Sequence, residues 1–331
     1  MNAAQILARL RGLCVGVVGD SMLDRYLIGS VTRISPEAPV PVVLHERTED
    51  RLGGAANVAL NLSALGAKAI LCSVIGCDAE GEALRQLLPE AKLTDEGLLS
   101  LAERPTTVKM RVLGNNQQML RIDREVTHPL GLAEERRFVE HVQEVLSRHR
   151  VQALIFQDYN KGVLTPFVIQ NLLDYARSCS IFTAVDPKRA HFFAYRGVHF
   201  FKPNLKEVRD SIPFTVEATV ASLRQATTFL RAKLDCAKIM ITLSEKGLFL
   251  DDEKSAQLYP TAPRKVADVS GAGDTVISVA TLAMVAGLES RLVAALSNLA
   301  GGQVCEFPGV VPVQINLLEQ ELAQWLTQNE E

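Results

Sequence analysis

The sequence predicts a doubly wound α/β fold, with a mostly parallel sheet flanked by helices. Three observations carry that expectation. Short apolar runs of strand length recur at 13–18, 69–75, 151–156, 181–185, 198–201 and 239–243. Stretches of helical spacing lie between them, such as Ala55–Leu65, stopped by Gly66, and Ala133–Arg148. Most of the runs are followed by a cluster of polar residues. Strands alternating with helices in this way build βαβ units and a parallel sheet.

Two regions break the alternation. The stretch 26–46 carries Pro36, Pro39 and Pro41 among valines and cannot form a long helix. The stretch 104–123 alternates polar and apolar residues in strand fashion. Both are expected to be extra strands outside the main sheet, a small β lid from about 24–50 and 104–126. With no repeat, low-complexity tract or linker, residues 1–331 are expected to form a single domain.

Bulk properties exclude several classes. The 331 residues are 47% hydrophobic and 22% charged, with a net charge of −3, so neither nucleic acid nor an anionic membrane is an expected partner. Six cysteines (14, 72, 77, 179, 236 and 305) include no C-x-x-C pair and read as buried thiols in a reducing cytosol. The N-terminus has no signal-peptide pattern, and no uncharged segment reaches the ~18–20 residues that span a bilayer. A cytoplasmic protein is expected.

In an open α/β sheet, ligands bind outside the carboxyl ends of the strands. There the sequence places Asp20 and Asp24, Asp158 and Lys161 in the segment 157–162, Lys188 and Arg189, Asn204 with Glu207, and Ser244, Lys246 and Gly247. Loops are polar anyway, but five such clusters on one edge favour a binding site. The segment 268–274, Asp-Val-Ser-Gly-Ala-Gly-Asp, adds an anion-binding turn. Gly271 and Gly273 let the backbone present its amides, and the uncharged run 275–288 reads as a buried helix whose dipole supports them. Asp274 beside them is placed to take a proton; the plainer alternative is an Asp stabilising a helix start.

The chain has no P-loop, its first strand runs into carboxylates rather than phosphate-binding glycines, and no H-E-x-x-H or G-x-S-x-G occurs. Phosphoryl transfer to a hydroxyl fits what remains. Asp274 would be the base, and the amides of Gly271, Ala272 and Gly273 would stabilise the transferring group. Asn204 and Glu207 can face one Mg²⁺ or its waters, or else form a helix capping box. On a strand over 106–112, period two puts Thr107, Lys109 and Arg111 on one face. Those cations would hold a substrate phosphate, with Lys188 and Arg189 as competitors, unless the face is merely solvated.

Three motifs in this order, Gly53-Gly-Ala-Ala-Asn57-Val-Ala59, Asn204-Leu-Lys-Glu207 and the 268–274 segment, resemble the ribokinase (PfkB) carbohydrate kinases. The resemblance runs from about Leu13 to Leu318. It implies a ribokinase-like α/β core with a β lid, ATP as donor and Mg²⁺ as cofactor. It also implies Asp274 as base, Asn204 and Glu207 near metal and phosphates, and an acidic sugar-binding position at Asp20 or Asp24. Gly53, Gly54 and Asn57 match its sugar-contact and hinge motif. The stretches 19–26, 33–41 (beginning at Arg33) and 157–165 resemble more narrowly the D-glycero-D-manno-heptose 7-phosphate kinases. These make a 1,7-bisphosphate for lipopolysaccharide heptose. With no nucleotidyltransferase motif present, a stand-alone, dimeric kinase is expected.

Val269 replaces the usual Thr, and the segment 305–307, Cys-Glu-Phe, replaces a smaller loop, which bears on the adenine pocket and on any K⁺ site at Asp268. The alternatives are a family kinase for a ketohexose phosphate or nucleoside, and a non-catalytic sugar sensor of the same fold.

Overall fold

Cys14–Gly19 forms the first strand (β1), and all six residues are buried because helices cover both faces of its sheet. The computed structural model describes residues 1–329. Helix α1 (Ala3–Ala8) precedes β1; the hairpin β2 (Ser21–Ile34) and β3 (Pro41–Gly54), helix α2 (Ala55–Ala64), β4 (Lys68–Gly76), α3 (Ala79–Leu87) and β5 (Leu98–Leu101) follow. A second hairpin, β6 (Val108–Gly114) and β7 (Gln117–Arg124), leads to α4 (Leu132–His149), β8 (Ala153–Gln157), α5 (Pro166–Ser178), β9 (Phe182–Asp186) and β10 (Phe200–Phe201). The chain ends with α6 (Leu205–Ser211), α7 (Val220–Leu234), β11 (Lys238–Thr242), β12 (Leu248–Asp251), β13 (Ala256–Tyr259), α8 (Ala272–Val285), α9 (Ser290–Val304) and α10 (Ile315–Gln328).

Nine strands form the main sheet in the order β13-β12-β11-β10-β9-β8-β1-β4-β5. Only the β11–β12 and β12–β13 pairings are antiparallel. All six apolar runs lie on strands of this sheet. One apolar core, built from α1, α2, α8, α9 and α10, covers one face, and another from α4, α5 and α7 covers the other. From β1 the chain first winds outward to β4 and β5, then returns to β8 and winds the other way. The carboxyl ends of β1 and β8 therefore bound the switch point where a crevice opens.

The two hairpins form a separate four-stranded sheet, β3-β2-β6-β7. Pro36 and Pro39 sit in the turn between β2 and β3, and Pro41 opens β3, positions that lose no ladder bond. This lid is tied to the core at two places. Arg25 pairs with Asp50 at 2.7 Å and lies 3.5 Å from Glu80 of α3, which also receives Arg124 at 2.6 Å. Opposite, Arg51 Nη1 donates to the carbonyls of Pro308 and Val310, and the Val310 amide donates to the Tyr26 hydroxyl at 3.1 Å.

Two expectations need correction. Only Cys14, Cys72 and Cys236 are buried; Cys305 is half-buried, while Cys77 follows the end of β4 and Cys179 caps α5, both exposed. The apolar helix starts at Ala272, three residues earlier than its uncharged run, which puts Asp274 inside its first turn. Among the described residues no helix is long and apolar enough to cross a membrane.

Gly19 closes β1 opposite Gln157 of β8 with φ of +154°. A Cβ there would stand 1.9 Å from the Gln157 carbonyl oxygen, a backbone atom that cannot swing away. Gly19→Ala should therefore cost about 3 kcal/mol or more in urea denaturation. A loss below about 1 kcal/mol would show that this strand end yields.

Candidate active site

Helix α8 begins at the switch point. Its N-cap, Gly271, has φ of +81°, and a Cβ there would meet Asn57 Nδ2 at 2.8 Å. Glycine thus serves both the turn and the approach of Asn57. The first amides of a helix have no partner four residues back, so those around Gly271, Ala272 and Gly273 form the positive end of α8. Asp274, 3% exposed, lies just inside that end.

Three side chains, from α2, the end of β8 and the loop after β8, converge on Asp274. Asn57 of α2 donates to Oδ2 at 2.8 Å. Gln157, the last residue of β8, donates to Oδ1 at 3.0 Å, and the Tyr159 hydroxyl donates to the same oxygen at 2.7 Å. The Asn57 amide is oriented by Asn61 one turn on, whose Nδ2 donates to Asn57 Oδ1. Burial pushes the Asp274 carboxyl up to about 6; the Asn57 and Tyr159 hydrogen bonds oppose that shift, and the charge of Asp186 adds to it. A carboxylate held near neutrality is suited to accept a proton.

The loop after β8 is held by carboxylates expected to bind sugar. Asp20, 2% exposed, accepts the backbone amides of Tyr159, Lys161 and Val163 at 2.8, 3.1 and 3.2 Å. Asp158 accepts the Asn160 amide and the Tyr195 hydroxyl at 2.8 and 2.9 Å. Burial, then the Asp20 charge, pushes its carboxyl up to about 6. Asp20 gives both oxygens to loop amides, and Asp158 divides its own between the loop and the Tyr195 hydroxyl, so both carboxylates expected to bind sugar are occupied within the protein. Lys161 lies on the same loop and pairs with Glu125 at 2.6 Å.

On the far side of α8 opens a cavity of about 1140 Å³. It brings together Asn204, Ser244, Lys246, Gly247, Ala272 and Gly273, as the strand-end pattern anticipated, and Cys305 also lines it. Asn204 and Glu207 form the capping box of α6, each side chain accepting the other's backbone amide at 2.8 Å. Glu207 also pairs with Lys188. Burial alone would lower the Lys188 ammonium, but Asp186 and Glu207 outweigh it and raise it. Asp186 and Lys202 form a buried pair at 2.9 Å beside Gly273.

The lid covers the other side. Asp24 and Arg111 form a buried ion pair. Gly53 leaves room for it, since a Cβ there would stand 2.3 Å from Asp24 Oδ2. Gly54 is the N-cap of α2. Parallel pairing of β2 with β6 sets Asp24 opposite Lys109. Lys109 has no carboxylate within salt-bridge distance among the described residues; its ammonium sits 5.3 Å over the Tyr159 ring, and burial lowers its pKa. Arg33 is corrected outright: it is exposed near the tip of β2, nine residues and roughly 30 Å of strand beyond Asp24.

Sequence reasoning passed over Gln157, Tyr159, Asp186 and Lys202 as site residues. Tyr159 and Gln157 stood in a segment already singled out, and their strand-end position was the available signal.

A family model described as pfkB family carbohydrate kinase matches residues 14–315. The chain is 42% identical to the Bifunctional protein HldE of Methylobacillus flagellatus, over 92% of this chain and 62% of that protein. It is 40% identical to the D-beta-D-heptose 7-phosphate kinase of Bordetella bronchiseptica, over 91% of this chain and 92% of that one. The chain thus spans less than two thirds of the bifunctional relatives it matches. Among solved structures it resembles Escherichia coli phosphofructokinase-2 in complex with fructose-6-phosphate (TM-score 0.77, 19% identity, 96% and 99% coverage). Arabidopsis thaliana ribokinase complexed with ribose and ATP gives 0.71, with 16% identity and 94% and 99% coverage. Those two likenesses show the ribokinase-like fold, and the family match shows descent: the chain belongs to the pfkB family of carbohydrate kinases.

Proposed function

We propose that this chain uses ATP to phosphorylate the anomeric hydroxyl of D-glycero-D-manno-heptose 7-phosphate, giving the 1,7-bisphosphate used in lipopolysaccharide heptose synthesis. The observation that carries the kinase chemistry is Asp274: a buried carboxylate, raised to about 6 and held by three side-chain donors, in the first turn of the helix whose opening residues line the cavity. The acceptor would lie under the lid and the nucleotide in the cavity. The hydroxyl oxygen bonds to the γ-phosphorus as the bond from that phosphorus to the ADP oxygen breaks. The hydroxyl proton passes to Asp274, and ADP leaves with the electron pair. The amides around Gly271–Gly273 face the charge on the transferring group. The heptose assignment rests on the near full-length relative of that name and on the anion-holding chemistry beneath the lid.

Mg²⁺ would neutralise the nucleotide phosphates. The donor set fits it only through water: one Glu207 oxygen holds Lys188 and the other the Asn204 amide. No cluster of three metal-ligating side chains occurs among the described residues. A Mg²⁺ that keeps its waters and takes phosphates as direct ligands suits that arrangement. K⁺ is the further cofactor of this reading, with Asp268 contributing; its oxygens accept the Ser270 and Gly309 amides, which fixes their direction. A cytoplasmic homodimer through the lid completes it. Ile34, Leu44, Met119, Leu120 and Ile122 are exposed apolar side chains on that sheet, and among the described residues its edge strands β3 and β7 have no further partner.

Asp274→Asn should lower kcat by roughly 100-fold or more while sugar binding persists. Because the folded carboxyl is raised to about 6 and must be ionised to act, kcat/KM of the unaltered protein should fall as pH drops through about 6. Wild-type turnover in the variant removes Asp274 as base.

The substrate is decided by comparing heptose 7-phosphate, fructose 6-phosphate and adenosine at equal ATP, with the phosphorylated carbon read by ³¹P NMR. The heptose should lead by about two orders of magnitude in kcat/KM. Preference for a competitor, or phosphate away from C1, rejects the heptose. Lys109→Met should raise the sugar-phosphate KM about tenfold and leave that for ATP unchanged.

Sedimentation should find a dimer that Leu44→Asp with Leu120→Asp converts to monomer. A monomeric unaltered protein ends the lid-interface reading.

A further inference from the structure

Tyr159 is joined to more of the site than any residue the motifs identify. Its hydroxyl donates to Asp274 Oδ1 at 2.7 Å. Its ring lies under two ammonium groups, Lys109 from β6 at 5.3 Å and Lys188 from the β9 end at 5.6 Å. Its own amide is held by Asp20, together with two more amides of the same loop. The backbone is therefore pinned from one side while the side chain reaches the base and both cations on the other.

A carboxylate offers about four lone-pair sites. On Asp274, Gln157 and Tyr159 occupy both sites of Oδ1, and Asn57 occupies one of Oδ2. One site remains, on Oδ2. The Gln157 amide cannot be turned the other way, because its oxygen would then face the carboxylates of Asp274 and Asp186.

We propose that Tyr159 is the positioning residue of the site: its hydroxyl confines proton acceptance to Asp274 Oδ2, and its ring spaces Lys109 and Lys188 for an anionic acceptor. The proposal rests on the kinase reading above for its use in catalysis, but not for its geometry. The charged groups facing Asp274 are Asp186 at the end of β9, Lys202 after β10 and Lys188, with Tyr159 as the remaining titratable neighbour. Tyr159→Phe leaves all of them and the ring in place and removes one stabilising donor from the carboxylate. The carboxyl then binds its proton more tightly, so its titration moves to higher pH.

The test has two arms. In the ligand-free protein, carboxyl ¹³C NMR follows Asp274, with Asp274→Asn identifying its signal. Tyr159→Phe should raise that titration by about one pH unit. In assays of ATP with heptose 7-phosphate, the same variant should move the acid limb of kcat/KM upward equally and leave the sugar-phosphate KM unchanged. Tyr159→Leu, which also removes the ring, should in addition raise that KM severalfold. An unmoved Asp274 titration in Tyr159→Phe overturns the proposal. So does a Tyr159→Phe protein faster than the unaltered one at every pH, since the phenol would then be blocking the acceptor. If no sugar phosphate is turned over by the unaltered protein, the kinase reading fails and the NMR arm still decides the role of Tyr159.

Discussion

The site depends on keeping one ionised carboxylate out of water. Raising the Asp274 carboxyl from 3.8 to about 6 corresponds to roughly 3 kcal/mol that the folded chain forgoes at neutral pH and recovers as pH falls below both values. Hydrogen bonds from Asn57, Gln157 and Tyr159 keep that cost from growing, since a buried carboxylate without donors would simply stay protonated. The surrounding architecture follows from it. Helix α2 must pack against α8 to deliver Asn57, and β8 must end at Gln157 to deliver the other donors.

The loop after β8 has to be rigid for the same reason, and its rigidity is electrostatic rather than apolar. Three amides converge on Asp20 and a fourth on Asp158, in the manner of a carboxylate held by a concave backbone. Two carboxylates expected to touch sugar therefore act one layer back. They hold the loop whose tyrosine touches Asp274. That division leaves Asp24 as the acidic group under the lid, and its partner Arg111 makes it a fixed, neutralised pair. Lys109 differs: among the described residues no carboxylate in salt-bridge range offsets its charge, and its ammonium lies over the Tyr159 ring.

How far the sequence could be read depended on the range of each interaction. Strand runs, the α8 helix and the Asn204–Glu207 box are local patterns, and all appear in the fold. The period-two face of β6 was also legible: Arg111 is buried and Lys109 reaches Tyr159. Which cation stays unpaired was not, because that is set by register between distant strands. Asp24 finds Arg111 across 87 residues, and Lys161 finds Glu125 only where the loop returns to the lid root. Arg33 failed for a simpler reason: β2 runs unbroken past the site, so a residue near Asp24 in sequence ends up far away. Tyr159 was visible as part of a polar strand end, but nothing local says that its hydroxyl reaches a helix 115 residues later.

One path joins the two halves of the site through the lid rather than through the sheet. Arg111 packs over the Tyr26 ring at 5.3 Å, and Arg51 over the same ring at 4.6 Å. Both Tyr26 and Arg51 reach the segment Pro308–Val310, and Gly309 of that segment donates to Asp268 at 3.0 Å. Asp268 in turn holds the Ser270 amide, one residue before the turn that opens α8. A Cβ on Gly309 would come within 2.7 Å of both Arg51 Nη1 and the Tyr26 hydroxyl, so this contact is built to be close. The Asp24–Arg111 pair of the lid therefore leans on the same backbone that orients the amides at the start of α8. Displacing the lid would take the Tyr26 acceptor from the Val310 amide and the Arg51 donor from the Val310 carbonyl at once, and buried backbone groups do not give up partners cheaply. Lid position and the shape of the α8 turn are thus set together, by contacts of the β2–β3 hairpin that Arg111 of the second hairpin backs through the Tyr26 ring.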